Sequence, residues 1–503
     1  MRRFLFFILV LLAVRLSAAE AAYTVTPYVL PEGVKLEASG LAQLPDGRVA
    51  VVVRKGEVWL LEHPDADPAD ARAVGYKRIA SGLHEPFGLL WRDGALLTMQ
   101  RSELTRLRDL DGDDVIDDYE CFAKGWGVSG AYHEYAYGPV PDHEGNLWIT
   151  LNSRMGRPVT MPGHRARDFP WRGWALRVTP AGVLEPVAAG LRSPAGFGTN
   201  AAGDIFGSDQ QGNWWATNAI MQLRPGVFFG HKDSLPDTLR ADSPVRPPGE
   251  LPQGLTVVEA AKRVPGLVPP VVWLPYVKLG QSPTAVVADL TGGKFGPFGD
   301  QLFVGEFVLS QVNRVFIEKV DGQYQGAAFR FVEGFQSGPV SMTFLRDGSL
   351  LVGETNRGWN SQGTRSFGLE RVRWTGVTPF EIRTMRAQPN GFLLEFTAPV
   401  DAATAQRADS YAMTSYTYLY HQAYGSPETN KQPVEIERVA VAEDHRSVRL
   451  FCRGLREGYV HELSAEGVRA ASDGRPLAHA LACYTLNRVP RSSSGDGAAG
   501  VAR

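Results

Sequence analysis

Six stretches of the chain repeat one plan: an apolar strand, a turn holding Gly with Asp, Glu or Asn, a second apolar strand, a polar turn and a third strand. They start at Gly40 (GLAQLPDGRVAVVVRKGEVWLLE), Pro86 (PFGLLWRDGALLTMQRSELTRLRD), Tyr135 (YAYGPVPDHEGNLWITLNS), Pro194 (PAGFGTNAAGDIFGSDQQGNWW), Ser282 (SPTAVVADLTGGKFGPFGDQLFVGE) and Gly338 (GPVSMTFLRDGSLLVGETNRGW). Each copy reads as a small antiparallel sheet whose tight turns use Gly for positive φ. Alternating apolar residues give each sheet faces to bury, and one such sheet cannot bury both faces alone. Packing the copies face to face in a ring buries them and leaves only short edges. The repeat therefore predicts an all-β chain with a six-bladed β-propeller over residues 23–375; an array of β-sandwiches is the alternative. Gly 54 and Pro 34 suit a chain full of turns, and 44% apolar with 21% charged residues excludes a disordered chain or a coiled-coil rod.

Two regions break the rhythm. RMGRPVTMPGHRARDFPWRGW is a long polar loop. A Pro-rich insertion around Asp233 to Tyr276 falls between the fourth and fifth copies and holds one short helical stretch near TVVEAAKRV. From Gly376 short alternating strands predict an immunoglobulin-like β-sandwich over 376–490. The small polar residues of 491–503 predict a disordered tail.

Arg2 and Arg3, the apolar run Phe4 to Val14 and the small residues from Ser17 to Ala22 have the order of a secretory leader. Residues 1–21 are expected to be removed, leaving an exported periplasmic or extracellular protein with no membrane span. A net charge of −2 speaks against a nucleic-acid partner. Of the three cysteines, none forms a CxxC or CxxCH pair, so neither a zinc ribbon nor attached haem is expected. Cys452 and Cys483 are read either as one disulfide or as two buried thiols.

In a propeller the residues that lead into the innermost strands gather at one mouth of the central channel. The same offset in successive copies gives His84 and Glu85, His133 and Glu134, Arg192 and Ser193, then Gln281 and Ser282. A His there is suited to accepting a proton and an Arg to holding negative charge on oxygen. SDQQGNWW adds Asp209, Gln210 and Asn213 beside aromatics, and ETNRGWNSQG adds Arg357. Separately, DLDGDDVIDDYE places Asp109, Asp111, Asp113, Asp117 and Glu120 at positions 1, 3, 5, 9 and 12, with the Val115 carbonyl at position 7. That is a calcium-loop spacing, with Asp114 where the usual Gly stands.

HEYAYGPVPDHEGNLWITLNS and LRSPAGFGTNAAGDIFGSDQQGN resemble the glucose/sorbosone dehydrogenase propellers, secreted quinoproteins that bind pyrroloquinoline quinone (PQQ) and calcium. The combination of LTRLRDLDGDDVIDDYE, GKFGPFGDQLFVGE, ETNRGWNSQG and YTLNRVP further resembles bacterial proteins described as membrane-bound dehydrogenases. The resemblance implies that His133 is the catalytic base and Arg192 the arginine beside the quinone. The cofactor site is expected to include His84, Glu85, Ser193, Asp209, Gln210, Asn213 and Arg357, read from the offset and the two motifs above, and a separate cytochrome is the expected electron acceptor. Ser193 stands where those quinoproteins have Asn. Three functions are weighed: a quinone-dependent dehydrogenase of sugars or related alcohols; a non-catalytic carbohydrate- or protein-binding propeller; and a calcium-dependent hydrolase or lactonase using Glu85, Glu134 and Asn213.

Overall fold

The computed structural model describes residues 22–491, so the expected leader and all but the first residue of the expected tail lie outside the described residues. Six antiparallel sheets follow one another along the chain. The first holds Ala38–Gln43, Val49–Val53, Glu57–Glu62 and Gly75–Ala80. The second holds Leu89–Arg92, Ala95–Met99, Glu103–Arg108 and Asp118–Lys124. The third holds Ala136–Pro141, Leu147–Leu151, Trp174–Val178 and Leu184–Ala189. The fourth holds Gly196–Thr199, Ile205–Asp209, Asn218–Gln222 and Val272–Leu274. The fifth begins with Pro283–Ala288, Leu302–Glu306, Gln311–Val320 and Gln323–Glu333. The sixth has Gly338–Phe344, Leu350–Thr355 and Phe367–Trp374, and its fourth strand is Tyr23–Pro27 from the start of the described chain, paired from Tyr23↔Trp374 to Pro27↔Glu370.

The first strand of each sheet neighbours the first strands of the sheets before and after it, and that of the sixth returns to that of the first. The result is a closed, propeller-like ring. Glycine permits the close approach of these inner strands: a Cβ on Gly40 would stand 2.6 Å from the Gly88 backbone. The second strands are buried almost throughout, as in Val49–Val53 and Leu147–Leu151. That explains why they read as continuous apolar runs rather than alternating ones, since neighbouring sheets cover both faces.

The insertion lies within the fourth sheet, between its third and fourth strands, and not between the fourth and fifth copies. It carries the 3-10 segment Lys232–Leu239 and the helix Val257–Arg263. The helix starts where a capping box forms, Thr256 Oγ1 accepting from the Glu259 N–H and the Glu259 carboxylate from the Thr256 N–H.

Beyond residue 376 two sheets share one apolar core. One has the order Ile382–Gln388, Gly391–Phe396, Ser447–Arg453, Glu435–Val441. The other has the order Leu481–Leu486, Tyr459–Ser464, Ala412–Thr417, Thr429–Pro433. The second sheet does not stand apart from the ring. Cys483, Tyr484 and Thr485 pair with Ala328, Ala327 and Gly326, so it continues the fifth sheet as eight strands. Phe316, Ala327 and Phe329 of the ring contribute to the sandwich core. Cys452 and Cys483 are both buried and free, on different sheets and in different apolar clusters. No helix among the described residues is long and apolar enough to cross a membrane.

Candidate functional site

A single device repeated around the ring positions the site. At or near the end of each of five second strands, a polar side chain reaches the segment that leads into the innermost strand. Gln100 Oε1 accepts from the His84 N–H. Asn152 Nδ2 donates to the His133 carbonyl at 2.9 Å. Asp209 accepts from the Arg192 and Ser193 N–H groups at 2.7 and 2.6 Å. Glu306 accepts from Gln281 and Ser282 at 3.0 and 2.7 Å, and Glu354 from Ser337 at 2.7 Å. Backbone N–H and C=O groups held away from water need such partners. Meeting that need at one height in successive sheets gathers the lead-in residues at one mouth of the channel.

The cavity there has a volume of about 360 Å³. His133, Arg192, Ser193, Gln210, Asn213 and Arg357 line it, as the sequence predicts. His84, Glu85, Glu134 and Asp209, predicted beside them, do not. His84 is exposed and outside the lining, to which its sheet contributes Phe87. Glu85 lies behind the wall, ion-paired with Arg54 at 3.2 Å and with Arg101. Asp209 is wholly buried beneath the wall, where desolvation pushes its carboxyl up to about 6 against the backbone bonds it accepts. It supports Arg192 and Ser193 from behind and is no ligand-facing group.

The lining contains no Asp or Glu but four arginines. Arg54 is buried and partnered by Glu85 and the hydroxyls of Tyr132 and Tyr135. Arg357 is held by both oxygens of Glu37. Arg157 is exposed, and no carboxylate lies within ion-pair distance of it or of Arg192 among the described residues. Arg192 is only 7% exposed and its Nε is without a hydrogen-bond partner. Burial lowers its pKa from the usual arginine value. Its guanidinium lies 5.4 Å from the Tyr424 ring centre on one side and directly against Gly212 on the other, where a Cβ would collide with it. Asp209 and Asp233 act on Arg192 only from beyond ion-pair distance, so its guanidinium is able to bind an anionic or oxygen-bearing group entering the cavity.

His133 faces this charge. Its ring is half-buried, edge-on to Tyr132 at 5.2 Å between centres. Burial first, then Arg157, Arg192 and Arg101, hold its pKa below the ordinary histidine value of 6.5. It is therefore neutral at pH 7 and able to accept a proton.

The sequence reading missed Arg54, Tyr132, Arg157, Trp359 and Tyr424 in the lining. Arg54 had a signal, since it follows the second strand of the first sheet at the offset of Gln100 and Asn152. Tyr424 had none, because it comes from the C-terminal module. The wider channel on the far side, about 650 Å³, meets the cavity at Phe87, Tyr137, Ala195 and Val340. Its lining includes Lys294, Arg346 and several Ser and Thr residues among backbone and apolar side chains, but no histidine.

The carboxylates proposed for a hydrolase do not converge. Glu134 is buried and accepts from the Ser129 N–H and hydroxyl, Glu85 serves two arginines, and Asn213 Nδ2 donates to the Gln422 carbonyl at 2.9 Å. In the acidic loop, oxygens of Asp109, Asp111 and Asp117 come within 4.8 Å of one another. Asp113 instead accepts from the Val115 N–H, and Val115 is exposed. Glu120 stands in the following strand, paired with Arg106 and Arg108, and does not join the three. Asp114, at the position of the missing Gly, adopts φ 63° and pairs with Arg48 at 2.8 Å.

No family model and no curated protein matches the chain. In fold it is similar to soluble sugar dehydrogenases. Solved structures include an oxidoreductase (glucose dehydrogenase) of Thermus thermophilus, with 16% identity, a TM-score of 0.47, and coverage of 70% of this chain and 99% of that one. The PQQ-bound aldose sugar dehydrogenase of Streptomyces coelicolor gives 15%, 0.46, 70% and 98%, and the soluble enzyme of Escherichia coli in its apo form 15%, 0.44, 70% and 99%.

Proposed function

We propose that this protein is an exported oxidoreductase that uses a bound quinone to oxidise a hydroxyl group of a sugar or related alcohol. One observation carries the reading: a neutral histidine and a buried arginine that makes no ion pair among the described residues face the same cavity. The residues present fit an anionic quinone such as PQQ. The lining has no carboxylate to repel it, the buried Nε of Arg192 lacks a partner, and amides and aromatic faces complete the wall. Arg192, Gln210, Asn213 and Arg357 are the residues that would hold it. Such a group supplies the two-electron acceptor that side chains lack.

The chain itself contributes the proton acceptor and the fixed charge. His133 Nδ1 or Nε2, neutral and without a protein hydrogen-bond partner among the described residues, takes the hydroxyl proton. Arg192, fixed by Asp209 beneath it and Gly212 beside it, holds negative charge on an oxygen without needing to reorganise. Electrons would leave through a separate acceptor such as a cytochrome. In the C-terminal module the two sheet orders support an immunoglobulin-like kinship.

The test is reconstitution of the mature chain with PQQ and Ca²⁺, followed by the quinone absorbance and by dye reduction across sugars and alcohols. Saturable quinone binding and sugar-dependent dye reduction that is lost in His133→Gln are expected. Folded protein that binds no quinone would overturn the reading and favour the non-catalytic binding propeller.

A further inference from the structure

Apolar surface left in water costs free energy in proportion to its area. Among the described residues the largely exposed aromatic side chains are Tyr119, Tyr132, Tyr276, Trp359 and Tyr424. Three of these five line the same cavity: Tyr132 at 49% exposure, Trp359 at 56% and Tyr424 at 61%. They come from unrelated segments, namely the lead-in to the third sheet, the loop after the second strand of the sixth, and the C-terminal module.

Two banks result. Tyr132 touches Gly358, next to Trp359, and its hydroxyl accepts from Arg54 at 3.1 Å. Tyr424 stands on the other bank over Arg192. It is held there by backbone bonds on both sides: Trp214 N–H to the His421 carbonyl at 3.1 Å, Gly425 N–H to Gly212 at 3.0 Å and Ser426 N–H to Ala216 at 2.7 Å. Gly425, at φ 64°, lies against Gln211, where a Cβ would collide with its side-chain amide. The tyrosine is thus placed with care and then left bare. Near the same rim, Arg157 is exposed with no carboxylate partner among the described residues.

We propose that this rim binds an acidic oligosaccharide, a chain of sugar units bearing carboxylate or sulfate groups, whose end unit enters the cavity. Sugar rings present C–H faces that pack on aromatic faces, and hydroxyls that suit the amide of Gln211 in the same lining. The bare faces stand on both banks at the mouth, so the ligand extends beyond one unit. The free cation and the acid-free lining select negative charge. Placing the end unit beside His133 rests on the oxidoreductase reading above; binding at the rim does not.

The test uses the full mature chain without added cofactor, by calorimetry and tryptophan fluorescence. The probes are oligogalacturonate tetramers, sulfated chondroitin tetrasaccharides, cellotetraose and glucose. Acidic tetramers are expected to bind saturably, about tenfold more tightly than cellotetraose, and glucose more weakly still. The two acidic probes tell carboxylate from sulfate. Trp359→Ala and Tyr424→Ala are each expected to weaken tetramer binding about threefold to tenfold. Tyr424→Phe keeps the affinity, and Arg157→Ala removes the preference for acidic chains. Unchanged melting temperatures confirm that the variants fold.

No saturable tetramer binding, or full affinity in the Trp359→Ala/Tyr424→Ala double variant, overturns the proposal. Equal binding of cellotetraose and the acidic tetramers overturns its charge selection. Glycan binding without quinone binding sinks the oxidoreductase reading alone; quinone-dependent turnover without glycan binding at the rim sinks this one alone.

Discussion

His133 and Asp209 show how burial tunes two neighbouring groups for different work. His133 is pushed below 6.5 by burial and three arginines. The acid limb of kcat/KM in the reconstituted enzyme should therefore lie below pH 6.5, and Arg157→Ala should move it upward. A limb at or above 6.5 would show that His133 is not the proton acceptor. Asp209 has the opposite linkage. Its folded-state pKa, about 6, stands above the ordinary value of 3.8, so the folded state holds the proton more tightly. The stability this adds is present at low pH and fades as pH rises from about 4 to 6. Over that window Asp209→Asn should lose less thermal stability with rising pH than the wild type does. Asp209 accepts from three backbone N–H groups, those of Arg192, Ser193 and Gln210, so the same substitution leaves at least one of them poorly served and should cost about 1–3 kcal/mol.

Individual strands and loops carry two further expectations. Tyr23–Pro27 is the strand that ties the first part of the chain to the last sheet of the ring. Tyr23 is 4% exposed, its hydroxyl donates to the Phe295 carbonyl at 2.9 Å, and its ring packs on Phe295 and Phe331. Tyr23→Ala should therefore cost about 3–5 kcal/mol by denaturant unfolding, as removal of a buried aromatic ring does; a loss under 1 kcal/mol, as for an ordinary surface change, would mean that the ring does not depend on this closure. In the acidic loop, Asp109, Asp111 and Asp117 bring like charges together at a partly exposed site. Millimolar Ca²⁺ should raise the melting temperature of the wild type and leave that of Asp111→Asn unchanged. An equal response from both proteins would assign the effect elsewhere.

For the molecule as a whole, the shared eight-stranded sheet means that residue 376 is a boundary in sequence and not in structure. Cutting there would bare the edge of Gln323–Glu333 together with Phe316 and Phe329, a long apolar strand edge of the kind that aggregates. A fragment ending at residue 375 should accumulate as aggregate by size-exclusion chromatography, while the full mature chain is dispersed. A dispersed fragment with the full chain's melting temperature would contradict this.

The ring and half of its site were legible because they follow from local rules repeated along the chain. Strand, turn and strand recur at a fixed offset, and one offset led to His133, Arg192, Gln281 and Ser282 together. The same offset failed at His84, where Phe87 occupies the wall, because a repeat predicts a backbone position and not which way a side chain turns. Asp209 and Glu85, expected from the sequence to face a ligand, meet backbone N–H groups and guanidinium groups instead. Whether a carboxylate meets solvent, a backbone N–H or a guanidinium is settled by neighbours distant in sequence. Tertiary structure alone decided three things: that the first strand closes the last sheet, that the C-terminal module continues the fifth, and that this module sets Tyr424 over Arg192. Each is a contact between segments separated by tens to hundreds of residues, and such contacts leave no periodic trace in the chain that forms them.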